Sequence, residues 1–418
     1  MRPRHDSYDV LVAGGGPAGS TTAALVAAEG FRVALLERSA RPRFKVGESL
    51  MPATYWTFQR LGVLDRMRES QFPKKSSVQF FAGDGRSSSP FYFEDHDPHE
   101  SSQTWQVVRS EFDQMLLDNA AEKDVEVVRG ANLREVLFEA GRAVGARVEV
   151  DGARREIASR VLVDATGQSA LLGRRLRLKA DHYQLRNASL FTHFEGALRG
   201  RGKDEGATLI LHTRNRDSWF WYIPLPQDRV SVGVVGSLDY LIRGRSSDLQ
   251  RVFDEELGRC PALSPRLEKA RQVWPVRAIR DFSYRSRQVA GDGWVLAGDA
   301  FGFIDPIYST GVFLALVSGE MAADSICEAL EAGDPSGERL GRHGARLIEG
   351  MDALHRLVEA FYDRGFSFAR FLKRHPDCRG QLVDLLIGNV YRRPVDRLMA
   401  ALDGTTAALL AESSSHSS

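Results

Sequence analysis

Short apolar runs that end in glycine recur along the chain and set out a layered α/β protein. The first, residues 8–13, lacks polar alternation and reads as a strand buried on both faces. Gly14-Gly15-Gly16-Pro17-Ala18-Gly19 follows, then an alanine-rich stretch of helical length that reaches Gly30. A second apolar run, residues 31–36, leads into Glu37 and Arg38. Strand, glycine turn, helix and strand within about 30 residues form one βαβ unit, the context in which G-x-G-x-x-G marks a dinucleotide site. Gly14 allows the tight turn, Gly16 lets the backbone approach a pyrophosphate, and Gly19 lets the helix pack on the strand. Ala18 and the helix N-terminus face the anion. Glu37 stands at the spacing of a carboxylate that holds a ribose hydroxyl.

Downstream, residues 39–52 carry glycine and two prolines and read as a loop containing Val46-Gly47-Glu48-Ser49. Phe58, Leu61, Leu64 and Met67 fall on one face of a helix predicted over 54–69. Residues 72–81 read as a turn entering a strand, with 90–93 as its hairpin partner and a polar, mobile loop over 83–104. A strand is expected at 105–109, a helix from 110, and short strands at 125–128, 133–138 and 144–150 before the run 161–167. A second excursion, 188–280, contains strands near 189–194, 207–212, 218–223 and 230–235, the pattern of an antiparallel wall. The chain returns at 293–300, continues as a helix over 311–330, and stays helical over 339–402. The expected architecture is a Rossmann-type α/β nucleotide domain (1–187 and 281–335) interrupted by a β-sheet substrate domain (188–280). A helical C-terminal cap (336–410) and an unstructured tail (411–418) complete it.

Composition narrows the function class. The 418 residues carry 56 basic and 55 acidic side chains, so nothing suggests nucleic acid. No run approaches the length of a membrane span, and the N-terminal residues lack the apolar core of a signal peptide. Cys260, Cys327 and Cys378 have neither metal-ligand nor disulfide-framework spacing, which fits a reducing compartment. A cytoplasmic enzyme without a metal is expected.

Three separated motifs place glycine where backbone meets phosphate and carboxylate where hydroxyls sit. They are the glycine turn, Asp164-Ala165-Thr166-Gly167, and Gly298-Asp299-Ala300, the last suited to the ribityl and pyrophosphate of FAD. Arg109, at the start of a helix, is a further cofactor contact. Together they resemble the flavoprotein monooxygenases and halogenases with the two-domain FAD fold. Three more motifs make the chain most similar to the flavin-dependent halogenases: Trp219-Phe220-Trp221-Tyr222-Ile223-Pro224 (W-x-W-x-I-P), Phe303-Ile304-Asp305-Pro306-Ile307-Tyr308-Ser309-Thr310-Gly311 (F-x-D-P-x-x-S-x-G) and Phe72-Pro73-Lys74-Lys75.

That resemblance implies that Trp219 and Trp221, on one face of a strand, stand between flavin and substrate. It implies that the backbone amides of Thr310 and Gly311 face a halide, and that Val46, Gly47, Glu48, Ser49 and Pro306 border the flavin. It implies a lysine that captures hypohalous acid and presents halogen to an aromatic carbon; spacing to Val78 favours Lys75 over Lys74. FADH2 would come from a separate reductase, and chloride is expected ahead of bromide. Tyr308 stands where tryptophan-halogenating members carry glutamate. The Leu171–Leu176 segment and the C-terminal pattern look closer to the pyrrole and phenol branch, whose members commonly take substrates tethered to an acyl- or peptidyl-carrier protein. Three other readings share the cradle: an aromatic hydroxylase, a geranylgeranyl-reductase-like flavoprotein, and a degenerate binding subunit. Against the first stand the tryptophan pair and the lack of the fuller D-G motif; against the second, Ile223-Pro224 in place of Phe-Pro; against the third, the retained Lys75 and Thr310-Gly311.

Overall fold

Two sheets share the work in this computed structural model, which describes residues 3–41, 44–180, 185–280 and 283–415. The first is built on Ser7–Ala13, flanked in parallel by Val33–Glu37 and by Ala153–Asp164; Glu126–Arg129 and Trp294–Leu296 extend it on either side. Side chains alternate across this sheet. Val10, Val12, Val161 and Val163 enter a core shared with helices Pro17–Ala28 and Thr310–Glu331, while Leu11, Ala13 and Leu162 enter a core with Val136, Ala146 and Ile157. Both faces are therefore covered, the physical reason the strand sequences are apolar without interruption. Arg142–Val150 folds antiparallel onto the first half of Ala153–Asp164, and Asn132–Glu139 pairs with it in turn.

The second sheet is antiparallel through Asn187–Glu195, Arg229–Ser237, Ser218–Pro224 and Thr208–His212. It then recruits Ser77–Phe81, parallel to Thr208–His212, and Phe91–Tyr92. Residues 77–92 thus belong to the substrate sheet, although the sequence assigned everything before 188 to the nucleotide domain. Only tertiary pairing decides this, because a strand's own pattern does not name its partner. The expected boundary after residue 280 meets residues 281–282, which lie outside the described ones.

Local differences have local causes. The helix expected over 54–69 is two, Thr54–Leu61 and Leu64–Glu69, broken where Gly62 adopts a left-handed φ of 75°. The strand expected at 105–109 is confined to Thr104–Trp105, and the next helix starts at Arg109. The segment expected as a mobile loop, 83–104, holds Phe91–Tyr92 and two short 3-10 turns. The cap comprises Gly344–Tyr362, Phe368–Arg374, Arg379–Ile387 and Asp396–Ser415. Its last helix runs through Ser415, so the unstructured tail expected from 411 does not begin there; residues 416–418 lie outside the described ones. Helix Thr310–Glu331 is long and apolar enough to cross a membrane, but 72% of its apolar window is packed inside the protein, the position of a core helix.

Candidate active site

The strand ends, the glycine turn and the tryptophan strand converge on one cavity of about 630 Å³. Its nucleotide end is shaped by missing side chains. A Cβ on Gly14, whose φ is +109°, would sit 2.3 Å from the Ala165 carbonyl oxygen, and one on Gly19 would sit 1.9 Å from that of Gly14. Gly16 differs: a Cβ there would meet only Lys45 Nζ, at 3.4 Å, so its outer side is open to a ligand. Pro17 then starts the helix, whose first-turn amides have no intrahelical acceptors and can meet a pyrophosphate.

Around this end the cavity is lined by Gly14, Gly16, Ala18, Glu37, Arg38, Arg109 and Asp299. Glu37 is partly engaged: its carboxylate accepts from the Gly15 amide at 2.8 Å and the Ser39 amide at 2.7 Å. Arg109 is buried, forks onto Asp113 at 2.9 and 3.1 Å, and donates to the Val46 carbonyl at 2.6 Å, which pins the 46–49 loop. Burial pushes the Asp299 carboxyl up to about 6, against the pull of Arg109 and Lys45. Asp164 does not serve a ligand hydroxyl as its motif suggested. Its buried carboxylate accepts from Thr166 N at 3.0 Å, Thr166 Oγ1 at 2.6 Å and Leu172 N at 2.7 Å, tying its own turn. Gly19 and Gly298 lie behind the lining and act through packing, the latter with a Cβ position 2.8 Å from Ala18 Cβ. An open backbone turn, a helix N-terminus and an elongated cavity fit FAD.

The opposite end is aromatic. Trp219 and Trp221 project to the same side of Ser218–Pro224 with ring centroids 6.5 Å apart, both lining the cavity. Trp221 lies across its register partner Gly233, where a Cβ would stand 2.2 Å from the indole, and its Nε1 donates to Ser231 Oγ at 3.1 Å. Trp219 Nε1 donates to the Tyr362 hydroxyl at 2.9 Å, and that hydroxyl donates to Asp305 Oδ2 at 3.0 Å. Asn187 Nδ2 donates to the same oxygen at 2.8 Å. Burial lifts the Asp305 carboxyl to about 6 despite these bonds. Asp305 opens the Pro306–Tyr308 turn, after which Ser309, at φ 61°, precedes helix Thr310–Glu331. Pro306, Ser309 and Gly311 line the cavity. The Thr310 and Gly311 amides head the helix without intrahelical acceptors, and the buried Thr310 Oγ1 has no protein partner among the described residues.

Lys75 lies outside the cavity lining, one hydrogen bond from Ser49, which is part of it. The two-residue strand Lys74–Lys75 leaves Lys74 exposed and buries Lys75, because successive side chains alternate. Lys75 Nζ donates to Ser49 Oγ at 3.0 Å and the Leu50 carbonyl at 2.9 Å, with the Phe93 ring 5.7 Å away. Among the described residues no carboxylate pairs with it, and burial lowers its ammonium to about 7. Ser49 lines the cavity together with Val46, Gly47 and Glu48. Sequence reasoning gave no site role to Asn187, Thr208 or Gly233, nor to Tyr362, which entered it only as part of the C-terminal pattern. Gly233 alone carried a signal, a glycine amid valines opposite a tryptophan strand.

With this geometry in place, comparison with known proteins gives a consistent result. A family model described as FAD binding domain matches residues 7–334. The chain is 32% identical over 409 residues to a 1H-pyrrole-2-carbonyl-[peptidyl-carrier protein] chlorinase of Pseudomonas fluorescens, covering 93% of this chain and 90% of the relative. It is 33% identical over 331 residues to the corresponding brominase of Pseudoalteromonas luteoviolacea, covering 78% and 79%. Among solved structures, the flavin-dependent brominase Bmp2 superposes with a TM-score of 0.86 at 28% identity, covering 96% of this chain and all of the other. A myxobacterial chondrochloren halogenase does so at 0.77 and 33%, covering 86% and 83%.

Proposed function

Because the chain belongs to the flavin-dependent halogenases, we propose that it chlorinates a pyrrole or phenol by way of hypohalous acid handed to Lys75. The observation that carries this reading is a buried amine, without a carboxylate partner among the described residues, bonded to Ser49 in the lining of a cavity walled by Trp219 and Trp221. Bound FAD, reduced and exposed to O2, would supply the oxidation of halide. Gly14, Gly16 and the first turn of Pro17–Ala28 would hold its pyrophosphate, Arg109 and Asp299 its neighbouring groups, and the Thr310 and Gly311 amides the halide. The tryptophan pair keeps the aromatic substrate away from the flavin side and leaves the small hypohalous acid to cross. Lys75, whose ammonium burial lowers to about 7, then supplies the proton that activates it.

The chain carries one glycine fingerprint, which FAD takes in this reading, so reducing equivalents come from a separate reductase. A carrier-bound pyrrole fits the two curated relatives named above, and unpaired cysteines fit a reducing cytosol. The test is mass spectrometry of free and carrier-bound pyrrole-2-carboxylate and of phenols after incubation with FAD, a reductase, NADH, O2 and chloride or bromide. A mass gain with the halogen isotope pattern is expected; a gain of one oxygen instead selects an aromatic hydroxylase. Mixed with NADH alone, the oxidised protein is expected to keep its flavin colour.

A further inference from the structure

Lys75 does not itself line the cavity; Ser49 and Thr208 stand between. A chain of hydrogen bonds joins them. Gln106 Nε2 spends both its hydrogens, on the Gly206 carbonyl at 2.8 Å and on Thr208 Oγ1 at 2.8 Å. The reverse amide orientation would set Oε1 against a carbonyl oxygen, so this one is required. Thr208 Oγ1, having accepted from Gln106, lies 2.9 Å from Ser49 Oγ, and either hydroxyl can donate to the other. Ser49 Oγ also accepts from Lys75 Nζ at 3.0 Å. When Thr208 is the donor, both lone pairs of the serine are filled and its hydrogen has no acceptor among the described residues. It is left to face the cavity. The backbone cannot relax this arrangement, since Ser49 and Gln106 are bridged and Val107 N donates to the Glu48 carbonyl at 2.6 Å.

We propose that Ser49 is the proton relay between Lys75 and the reacting halogen species, with Thr208 and Gln106 as the residues that orient it. This rests on the Lys75 reading above. In the step, the arene attacks the halogen of hypohalous acid and the halogen–oxygen bond breaks. The departing hydroxide takes the Ser49 proton and leaves as water, while Ser49 takes one from the Lys75 ammonium. The proton lost when the ring regains aromaticity returns through Ser49 to the now neutral Lys75. The sum is arene plus hypohalous acid giving haloarene plus water, with Lys75 and Ser49 unchanged. Among the described residues, no other charged group bonds to Lys75 or Ser49. Glu48 Oε1 lies 2.8 Å from His193 Nε2, Asp204 accepts from Ser77 and Tyr92, and Lys74 points outward.

The holoenzyme carries the test, with reductase, chloride and pyrrole-2-carboxylate, free and carrier-bound, as probes. Ser49→Ala is expected to lower product formation per bound FAD about 100-fold. In wild type, rates in mixed H2O and D2O should curve as two protons in flight require; Thr208→Val should flatten that curve and Thr208→Ser restore it. The pH dependence of the melting temperature reads Lys75 without any reaction: Ser49→Ala removes an acceptor from the ammonium and should move its midpoint down. Product within about twofold of wild type in Ser49→Ala, with an unchanged isotope curve, overturns the relay and leaves Lys75 in place. Halogenation surviving in Lys75→Ala overturns the reading beneath it. Should Ser49→Ala fail to fold, Thr208→Val decides, and wild-type rate and curvature there overturn the proposal.

Discussion

The residue with the most at stake is Lys75, whose burial lowers its ammonium from 10.5 to about 7. The sign of its effect on stability follows from proton counting. Between those two values the unfolded chain holds a proton on Lys75 that the folded chain has released, so stability rises with pH through that window. Below it the cost of burying the charge is present in full. Lys75→Met, similar in length and apolar, should therefore raise the melting temperature by roughly 5 °C near about pH 6, a gain that fades toward about pH 10. The same substitution should abolish halogenation. An unchanged melting temperature at both pH values would mean that water reaches Nζ and relieves its burial.

At the scale of elements, the glycine turn and the Asp305 turn each join pieces far apart in sequence. Gly19→Ala places a methyl against the Gly14 carbonyl and separates helix from strand. An overpacking cost of about 1–3 kcal/mol corresponds to FAD affinity weakened about 10- to 100-fold, readable by flavin fluorescence titration. The Asp305 turn meets the substrate sheet through Asn187 and the cap through Tyr362, which also takes the Trp219 indole N–H. Tyr362→Phe leaves that N–H without a partner and removes one donor from a buried carboxylate. Urea unfolding should show a loss of about 1–3 kcal/mol, with the indole fluorescence of Trp219 altered before unfolding begins.

At the scale of the whole molecule the cap reaches the tryptophan wall, where Phe361 packs edge-on against Trp219 at 5.9 Å. From Arg364 to Arg397 the cap carries eight basic and three acidic residues, and the fold neutralises part of that excess: Arg364 pairs with Asp217, Arg393 with Asp97 and Asp384, and Arg397 with Asp377. Lys373, Arg374 and Arg379 are exposed and without ion pairs among the described residues. If the substrate arrives on an acidic carrier, these three steer it, and turnover of the carrier-bound acid should fall as salt rises while that of the free acid does not. Reversing the three to glutamate should cut kcat/KM for the carrier form by about tenfold or more. Equal response of free and carrier-bound acid would remove the carrier from the reading.

Sequence alone determined what depends on contiguous residues. The glycine turn, the tryptophan pair and the Asp305–Gly311 turn are each defined within a dozen positions. Steric freedom, strand alternation and helix start are local properties that a short stretch carries entire. Local spacing also favoured Lys75 over Lys74, the side that the strand buries. Tertiary structure decided what depends on partners. It moved residues 77–92 into the substrate sheet, turned Asp164 inward upon its own loop, and set Ser49, Thr208 and Gln106, from three separate segments, in one line to Lys75. Hydrogen-bond partners across 100 residues or more leave no periodicity behind, so they become visible only when the chain closes on itself.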